Sequence, residues 1–491
     1  MMPLSLALCC ALATGGADNA EPNTGRPNVL FIAVDDLNDW LGCLEGHPQA
    51  LTPNFDRLAA RGTLFTRAYC TAPACNPSRK SLLTGTRPST TGLYYNQKMI
   101  RDVLPGVVTL PEHFKRNGFR TEGGGKIFHH GMDDPQSWHE YFPRPPDPEP
   151  KRKPHVGLGH RDQFWRWQPL EDADDDDMAD GKLAVWAEKF LAREHSEPFF
   201  LGVGFWRPHM PWHVPQKYFD RFPLESIQLP KVLEGDVDDL PGYGRWLAHE
   251  RTGFHAELLQ REQWEVAVQA YLACIAFTDA MLGRVLDALD ASPYAANTII
   301  VLWSDHGMHL GEKQHWTKWG LWEQATRTPL IIVAPGVTSP GGRCETPVSL
   351  LDLYPTLIEL CGLPPPPRPT LEGESLVPLL RDPKAERTTP AITTHGHMNH
   401  AIRTARWRYI RYRDGGEELY DHESDPREWT NLAGDPRYAE VKVELQQWLP
   451  EVNVPDPPYL ERSQYWPGDP SPNDVSNYPR SKRAEAPPAL P

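Results

Sequence analysis

Positive charge is in short supply in this 491-residue chain, where 50 lysines and arginines meet 65 aspartates and glutamates for a formal net charge of −15. A surface of that sign repels phosphate backbones, so no nucleic-acid partner is expected. After the first twenty residues no run of eighteen apolar residues occurs, and no membrane span is expected. Cysteine is sparse, eight in all, and no C-x-x-C pair marks a zinc site. Cys9 and Cys10 fall in the apolar stretch 4–14, which runs into small residues up to Ala17 and Ala20. That pattern reads as a signal peptide over 1–20 and predicts export, although its start carries no Lys or Arg. Setting Cys75 aside leaves Cys43, Cys70, Cys274, Cys344 and Cys361, an odd number that cannot all pair internally. The chain has no internal repeat, and 40% hydrophobic content over this length supports one large core and a smaller one.

Three continuous apolar runs end abruptly in polar clusters. Asn28 to Val34 stops at Asp35-Asp36, Thr298 to Trp303 at Ser304-Asp305-His306-Gly307, and Pro198 to Phe205 at Trp206-Arg207-Pro208-His209. Unbroken β-branched and aromatic runs of this length suit parallel strands buried on both faces. In open α/β sheets ligands bind beyond the carboxyl ends of such strands, so the three clusters can share one site. Adjacent carboxylates repel unless a cation lies between them. Asp35, Asp36, Asp305 and His306 make a mostly oxygen donor set, which suits Ca²⁺ better than zinc. Standing alone, the Asp35-Asp36 pair would read as a cap or Asx turn after its strand.

Cys75 opens the segment Cys75-Asn76-Pro77-Ser78-Arg79-Lys80-Ser81-Leu82-Leu83-Thr84-Gly85. A thiol there sits just before a helix, whose free N–H groups and positive dipole end favour an anionic nucleophile or substrate. Arg79 adds a fixed positive fork. This segment resembles the type I sulfatase signature C-x-P-S-R-x-x-x-L-T-G at every specified position, and the likeness extends over about 26–450. The resemblance implies an alkaline-phosphatase-like α/β sandwich with a large mixed or parallel central sheet and a smaller C-terminal α+β subdomain. It also implies that a formylglycine-installing enzyme oxidises Cys75 to formylglycine, and that Asp35, Asp36, residue 75 and Asp305 bind one Ca²⁺. The family's usual Asn at the next ligand position is replaced by His306, as in the iduronate-2-sulfatase branch. Gly125-Lys126-Ile127-Phe128-His129 resembles that branch's G-K-x-F-H segment, and Pro208-His209-Met210-Pro211 its P-H-x-P segment. By that likeness Lys126 and Lys318 hold sulfate, His209 serves the leaving oxygen, and His129 takes a proton as sulfate departs. The expected activity is sulfuric ester hydrolysis on a sulfated sugar. Two alternatives stay open: a phosphonate or phosphodiester hydrolase built on the same motif, and a non-catalytic glycan-binding relative.

The expected organisation is a catalytic domain over 26–382, a subdomain over 383–451 and a Pro-rich, extended tail over 452–491. Helices are predicted over 110–117, 180–193, 266–289, 351–361 and 439–449, and further strands over 329–333, 390–394, 401–405 and 408–413. Gly123-Gly124-Gly125 is read as following a short strand at 119–121. The acidic run 171–177 could bind calcium but reads better as a solvated loop before a helix. Among seventeen Trp, the residues Trp206, Trp212 and Trp319 are candidate walls for a sugar ring. His397, His400 and Arg403 could reach the same cleft or serve structure.

Overall fold

The computed structural model describes residues 25–96, 99–151, 156–158 and 165–455, with the backbone alone for 249–253. The expected signal peptide and the tail beyond 455 lie outside the described residues. In chain order the strands are β1 Asn28–Val34, β2 Thr63–Tyr69, β3 Arg120–Gly125, β4 Glu140–Phe142, β5 Phe199–Phe205, β6 Thr298–Ser304, β7 His309–Leu310 and β8 Trp316–Thr317. They continue with β9 Arg327–Val333, β10 Gly342–Cys344, β11 Val348–Ser349, β12 Ala391–Thr394, β13 His400–Arg403, β14 Trp407–Arg411 and β15 Glu417–Asp421.

The large sheet runs β10-β2-β9-β6-β1-β5-β3-β4, with β11 also on β2. β1 lies between β5 and β6, parallel to both, whereas β9 is antiparallel to β6 and β2, so the sheet is mixed. Its central strands are apolar on both faces because both faces are covered. Leu30, Ile32 and Val34 of β1 enter one core, which includes the Trp264–Asp290 helix. Val29, Phe31 and Ala33 point the other way, into a core shared with the helices Cys75–Thr84, Leu110–Arg116 and Leu353–Leu360. The Trp264–Asp290 helix is long and apolar enough to cross a membrane, but 83% of its apolar window is buried inside the protein.

Register then places the site. Val34, the last residue of β1, pairs with Phe205 of β5 and with Ser304 of β6, so Asp35, Trp206 and Asp305 leave the sheet side by side. β3 joins the same edge, with Gly125 opposite Gly204 of β5 and Lys126 next in the chain. Here the structure corrects the sequence reading, because Gly123 to Gly125 lie inside β3 rather than after it. Glycine carries no strand preference of its own. Its place is set by neighbours, since the Trp138 ring would lie 2.9 Å from a Cβ at either Gly123 or Gly202.

The small sheet is an antiparallel meander, β12-β13-β14-β15. One face carries Ile392, Ile402, Tyr409 and Leu419 against Leu445 of the Ala439–Gln446 helix. The other face, with Ala401, Ile410, Tyr412 and Tyr420, packs on Tyr243, Trp246, Trp319 and Trp322. A buried charge network seals this contact. Arg408 pairs with Glu323 and Glu428 and donates to the Leu321 carbonyl at 2.9 Å, while Glu428 accepts the Glu323 N–H at 2.8 Å. Trp322 Nε1 donates to Glu418 at 2.8 Å. Burial alone would raise the Glu323 carboxyl, but Arg403, Arg408 and His422 hold it well below the usual range.

Helices form at Leu110–Arg116, Ala179–Leu191, Trp264–Asp290, Leu353–Leu360 and Ala439–Gln446, within a few residues of expectation. The helix Gly242–Gln260 and the strand β2 were not anticipated. The tail also starts differently from expectation. Val454 donates to the Ser89 carbonyl at 2.8 Å, Tyr94 Oη to the Val454 carbonyl at 2.7 Å, and Asn453 meets His400 at 2.9 Å, so these residues are packed. All six cysteines among the described residues are free thiols.

Replacing Arg408 by Met would leave two buried carboxylates without their shared guanidinium. A loss of about 3–5 kcal/mol is expected in denaturant unfolding, because one partner of a buried ion network is removed. A loss below about 1 kcal/mol would mean that the network is dispensable.

Candidate active site

Cys75 is the first residue of the Cys75–Thr84 helix; the N-cap residue Ala74 has no side-chain acceptor, and Asn96 Oδ1 accepts the Asn76 N–H at 2.9 Å. Cys75 thus stands at the positive end of the helix dipole. All ten residues of this helix are buried, and Gly85 ends it at φ 69°, a left-handed conformation that glycine adopts without strain. Ser78 Oγ donates to the Asp305 carbonyl at 2.5 Å and ties the helix to the end of β6.

Four residues after Cys75, one turn along the same face, Arg79 spends its donors within the protein. Nε donates to Asp305 Oδ2 at 2.8 Å, one terminal nitrogen to Asp35 Oδ1 at 3.2 Å, and the other to the Lys126 and Ile127 carbonyls. The expected substrate fork is thus a hub that binds three strand ends together. Burial opposes its charge, but Asp305 and Asp35 hold the guanidinium protonated even more firmly than usual.

Asp36 has φ 58°, an uncommon backbone conformation for a residue with a Cβ, and partners on both sides hold it there. Its N–H donates to Asp305 Oδ1 at 3.1 Å and its carbonyl accepts from Tyr271 Oη at 2.8 Å. The turned carboxylate meets Lys318 Nζ at 2.7 Å and His306 Nε2 at 3.2 Å through Oδ1. Lys318 Nζ is also 2.9 Å from Cys75 Sγ, and His306 Nε2 is 3.4 Å from it. His306 Nδ1 lies 2.9 Å from the Gly307 carbonyl, which makes Nδ1 the donor and aims Nε2 into the cluster. Asp35 pairs with Lys126, whose Nζ also rests 4.4 Å from the centre of the Trp206 ring.

Burial tends to raise the carboxyl of Asp35, yet Lys126, His209 and Arg79 bring it well below the ordinary range. Asp36 follows the same logic through His209, Lys318 and His306. Burial pushes the His209 imidazole down to about 3, although Asp36 pulls it upward. Its Nε2 faces Asp36 Oδ2 at 3.9 Å and its Nδ1 the Met210 carbonyl at 2.6 Å. His129, half-buried, is held well below the normal imidazole value by burial and by Lys126. Its Nδ1 has no hydrogen-bond partner among the described residues.

A metal fits this donor set. Ligand atoms of Asp35, Asp36, Cys75 and His306 lie within 4.8 Å of one another, and Asp36 Oδ2 is a buried oxygen with no hydrogen bond among the described residues. Asp305 stands just beside them, its Oδ1 3.7 Å from His306 Nε2. Buried, largely anionic oxygen donors of this kind suit a hard divalent cation.

Other candidates fall elsewhere. Trp212 is fully buried, its Nε1 on the Pro208 carbonyl and its ring against Trp167 and Tyr271, so it is core rather than wall. Trp206 supports Lys126 and meets the His209 ring at a tilt, 4.8 Å between ring centres. Trp319 retains 7% exposure beside His395. His400 is tied to Thr394 and Asn453, and Arg403 to Glu323, which makes both structural. The run 171–177 forms the short turn Asp175–Asp177 before the Ala179–Leu191 helix, as a helix-preceding loop should. Sequence reasoning missed Tyr271, the brace of Asp36; a lone tyrosine inside a long helix carries no signal of such a role.

The family model described as sulfatase matches residues 27–363, and one described as N-sulphoglucosamine sulphohydrolase, C-terminal, matches 311–454. The chain belongs to the sulfatase family. A sulfatase from Formosa agariphila is 42% identical over 471 residues, 92% of each chain. The iduronate 2-sulfatase of Mus musculus is 34% identical over 409 residues, 73% of each. Among solved structures, the phosphonate monoester hydrolase of Agrobacterium radiobacter superposes with a TM-score of 0.70 at 25% identity, covering 86% of this chain and 94% of that one. The fold is thus the alkaline-phosphatase-like sandwich, and the sulfatase is a sulfuric ester hydrolase.

In this sulfatase the approach of β5 to Lys126 leaves no room for a side chain. A Cβ at Gly204 would lie 2.3–2.5 Å from the Lys126 backbone. Gly204→Ala is therefore expected to displace Lys126 and cost about 10²-fold in turnover. Wild-type rates in that variant would show that Lys126 placement is not critical.

Proposed function

We propose that this sulfatase removes sulfate from a sulfated sugar through a formylglycine made from Cys75, with one Ca²⁺ held by Asp35, Asp36, residue 75, Asp305 and His306. The observation that carries the reading is Cys75 Sγ at a helix N-terminus, 2.9 Å from Lys318 Nζ and beside the Asp36–His306 pair. The likeness to iduronate 2-sulfatase supports a sugar substrate. The apolar stretch 4–14 supports export, where a formylglycine-installing enzyme would act during maturation.

A cation held by these residues would neutralise carboxylate charge, and formylglycine at position 75 would supply an oxygen nucleophile for sulfur. The remaining work falls to side chains. Lys318 and Lys126 carry ammonium groups into the site and stabilise charge gathering on the sulfate oxygens. Burial disfavours the Lys318 ammonium, but Asp36 and neighbouring anions keep its pKa well above normal, so it stays charged. Arg79 fixes Asp35 and Asp305 by ion pairs; burial raises the Asp305 carboxyl and Arg79 opposes that rise. His209 donates to the leaving oxygen, and an anionic substrate nearby raises its proton affinity just as Asp36 does. His129, with an unengaged Nδ1, accepts a proton as sulfate departs.

Peptide mass spectrometry should find residue 75 converted, and Cys75→Ala should abolish turnover. Asp305→Ala should lose both bound calcium and turnover; full activity in either variant would sink the scheme. A panel of defined sulfated mono- and oligosaccharides, run beside a matched phosphonate diester, tests the substrate class. Faster cleavage of the phosphonate would move the assignment to the phosphonate hydrolases, whose fold this chain shares.

A further inference from the structure

His209 sits on the turn that follows β5, and the structure shows what holds that turn. Asp180, in the first turn of the Ala179–Leu191 helix, is only 3% exposed and does not cap its own helix. Instead its two oxygens accept the next two backbone N–H groups beyond β5: Oδ1 from Trp206 at 2.9 Å and Oδ2 from Arg207 at 2.8 Å. The Arg207 side chain, 1% exposed, continues the frame. It donates to the His213 carbonyl at 3.1 Å, to the His209 carbonyl at 3.4 Å and to Asp147 Oδ2 at 2.9 Å. Asp147 also accepts the Ala179 N–H at 2.8 Å and pairs with Arg144, whose guanidinium lies 4.2 Å from the centre of the Trp206 ring. His209 N–H closes the turn on the Trp206 carbonyl at 2.9 Å.

Each end of this frame reaches a group that touches the reaction. Trp206 carries Lys126 on its ring, and the turn it begins delivers His209 to Asp36. No part of the Asp180 carboxylate meets the donor cluster. Burial and the charge of Asp147 push its carboxyl up to about 6, against the pull of the two N–H bonds, so the anion is kept by those bonds rather than by solvent.

We propose that Asp180, supported by Asp147, is a positioning residue that fixes the Trp206–Met210 turn so that His209 donates to the leaving oxygen. This rests on the reading of His209 given above. Asn in place of Asp offers one acceptor oxygen where two N–H groups need one each, so the turn would loosen without a change in volume.

The test compares two sulfate esters that differ in the leaving group, 4-nitrophenyl sulfate and the sulfate of a sugar hydroxyl, in the mature calcium-loaded enzyme. A misplaced His209 matters most where the leaving oxygen is basic. His209→Ala should lose roughly 10²–10⁴-fold in kcat on the sugar sulfate and far less on the aryl ester. Asp180→Asn should show the same bias at about tenfold or more, in kcat rather than KM. The double variant should be no slower than His209→Ala alone. Equal losses on both esters, no loss, or additive losses in the double variant would overturn the role of Asp180. If His209→Ala shows no leaving-group bias, the reading of His209 itself falls and the inference with it. Should Asp180→Asn not fold, as read by its thermal midpoint, Asp147→Asn undergoes the same comparison and the same outcomes decide.

Discussion

Three carboxylates buried together at the ends of parallel strands are the constraint from which the rest of this structure follows. Asp35, Asp36 and Asp305 are each 0–1% exposed. Left alone they would repel one another strongly in a low-dielectric interior. Arg79, Lys126 and Lys318 answer them within the protein, and each comes from a different segment. The fold must therefore deliver a helix, a strand end and a loop to one point. That requirement explains the glycines where β3 meets β5, the all-buried helix after Cys75 and the left-handed turn at Asp36. Each is locally unfavourable or unforgiving, and each brings a charge to its counterpart.

Lys318 reaches the cluster from the least regular of these segments. Between β7 and the Glu323–Thr326 helix the backbone takes positive φ at Lys313, Gln314, Thr317 and Trp319. Such a path is held only when its surroundings over-determine it. Arg408 on the Leu321 carbonyl, Glu418 on Trp322 and Glu428 on the Glu323 N–H supply that hold from the small sheet. The small sheet is thus part of the site's scaffold. It is consistent that the C-terminal family model begins at 311 and takes in the Lys318 loop rather than starting at β12.

Much of this was legible in the sequence, for a physical reason. A strand buried on both faces must be apolar throughout, so its polar end stands out, and Asp35-Asp36, Asp305-His306 and Arg207-Pro208-His209 were marked that way. What stayed hidden depends on contacts across the chain. β2 reads as an ordinary amphipathic segment until β9 and β10 flank it. Gly123 to Gly125 are a strand only because Trp138 and β5 demand small residues there. Asp180 reads as a helix-dipole partner, the commonest reason for an acidic first turn. Arg79 is recognised by its motif, while its bonds to Asp305, Asp35 and the Lys126 and Ile127 carbonyls are visible only in the structure. Trp212 was misjudged because large aromatics fill cores more often than they line clefts.

Net charge and site charge pull in opposite directions, and the geometry explains how a chain of charge −15 can take an anion. Screening confines surface charges to a reach of about 8–10 Å at ordinary ionic strength. Inside the cluster Lys318 meets Asp36 directly at 2.7 Å, and such a pair of charges interacts several times more strongly than at the surface. The protein's carboxylates are already matched by Arg79, Lys126 and Lys318, so a divalent cation would leave the site with positive charge to spare. A sulfate ester entering there meets an attraction set by neighbours a few ångströms away. The surface sign then acts on approach rate, while the buried pairing decides binding.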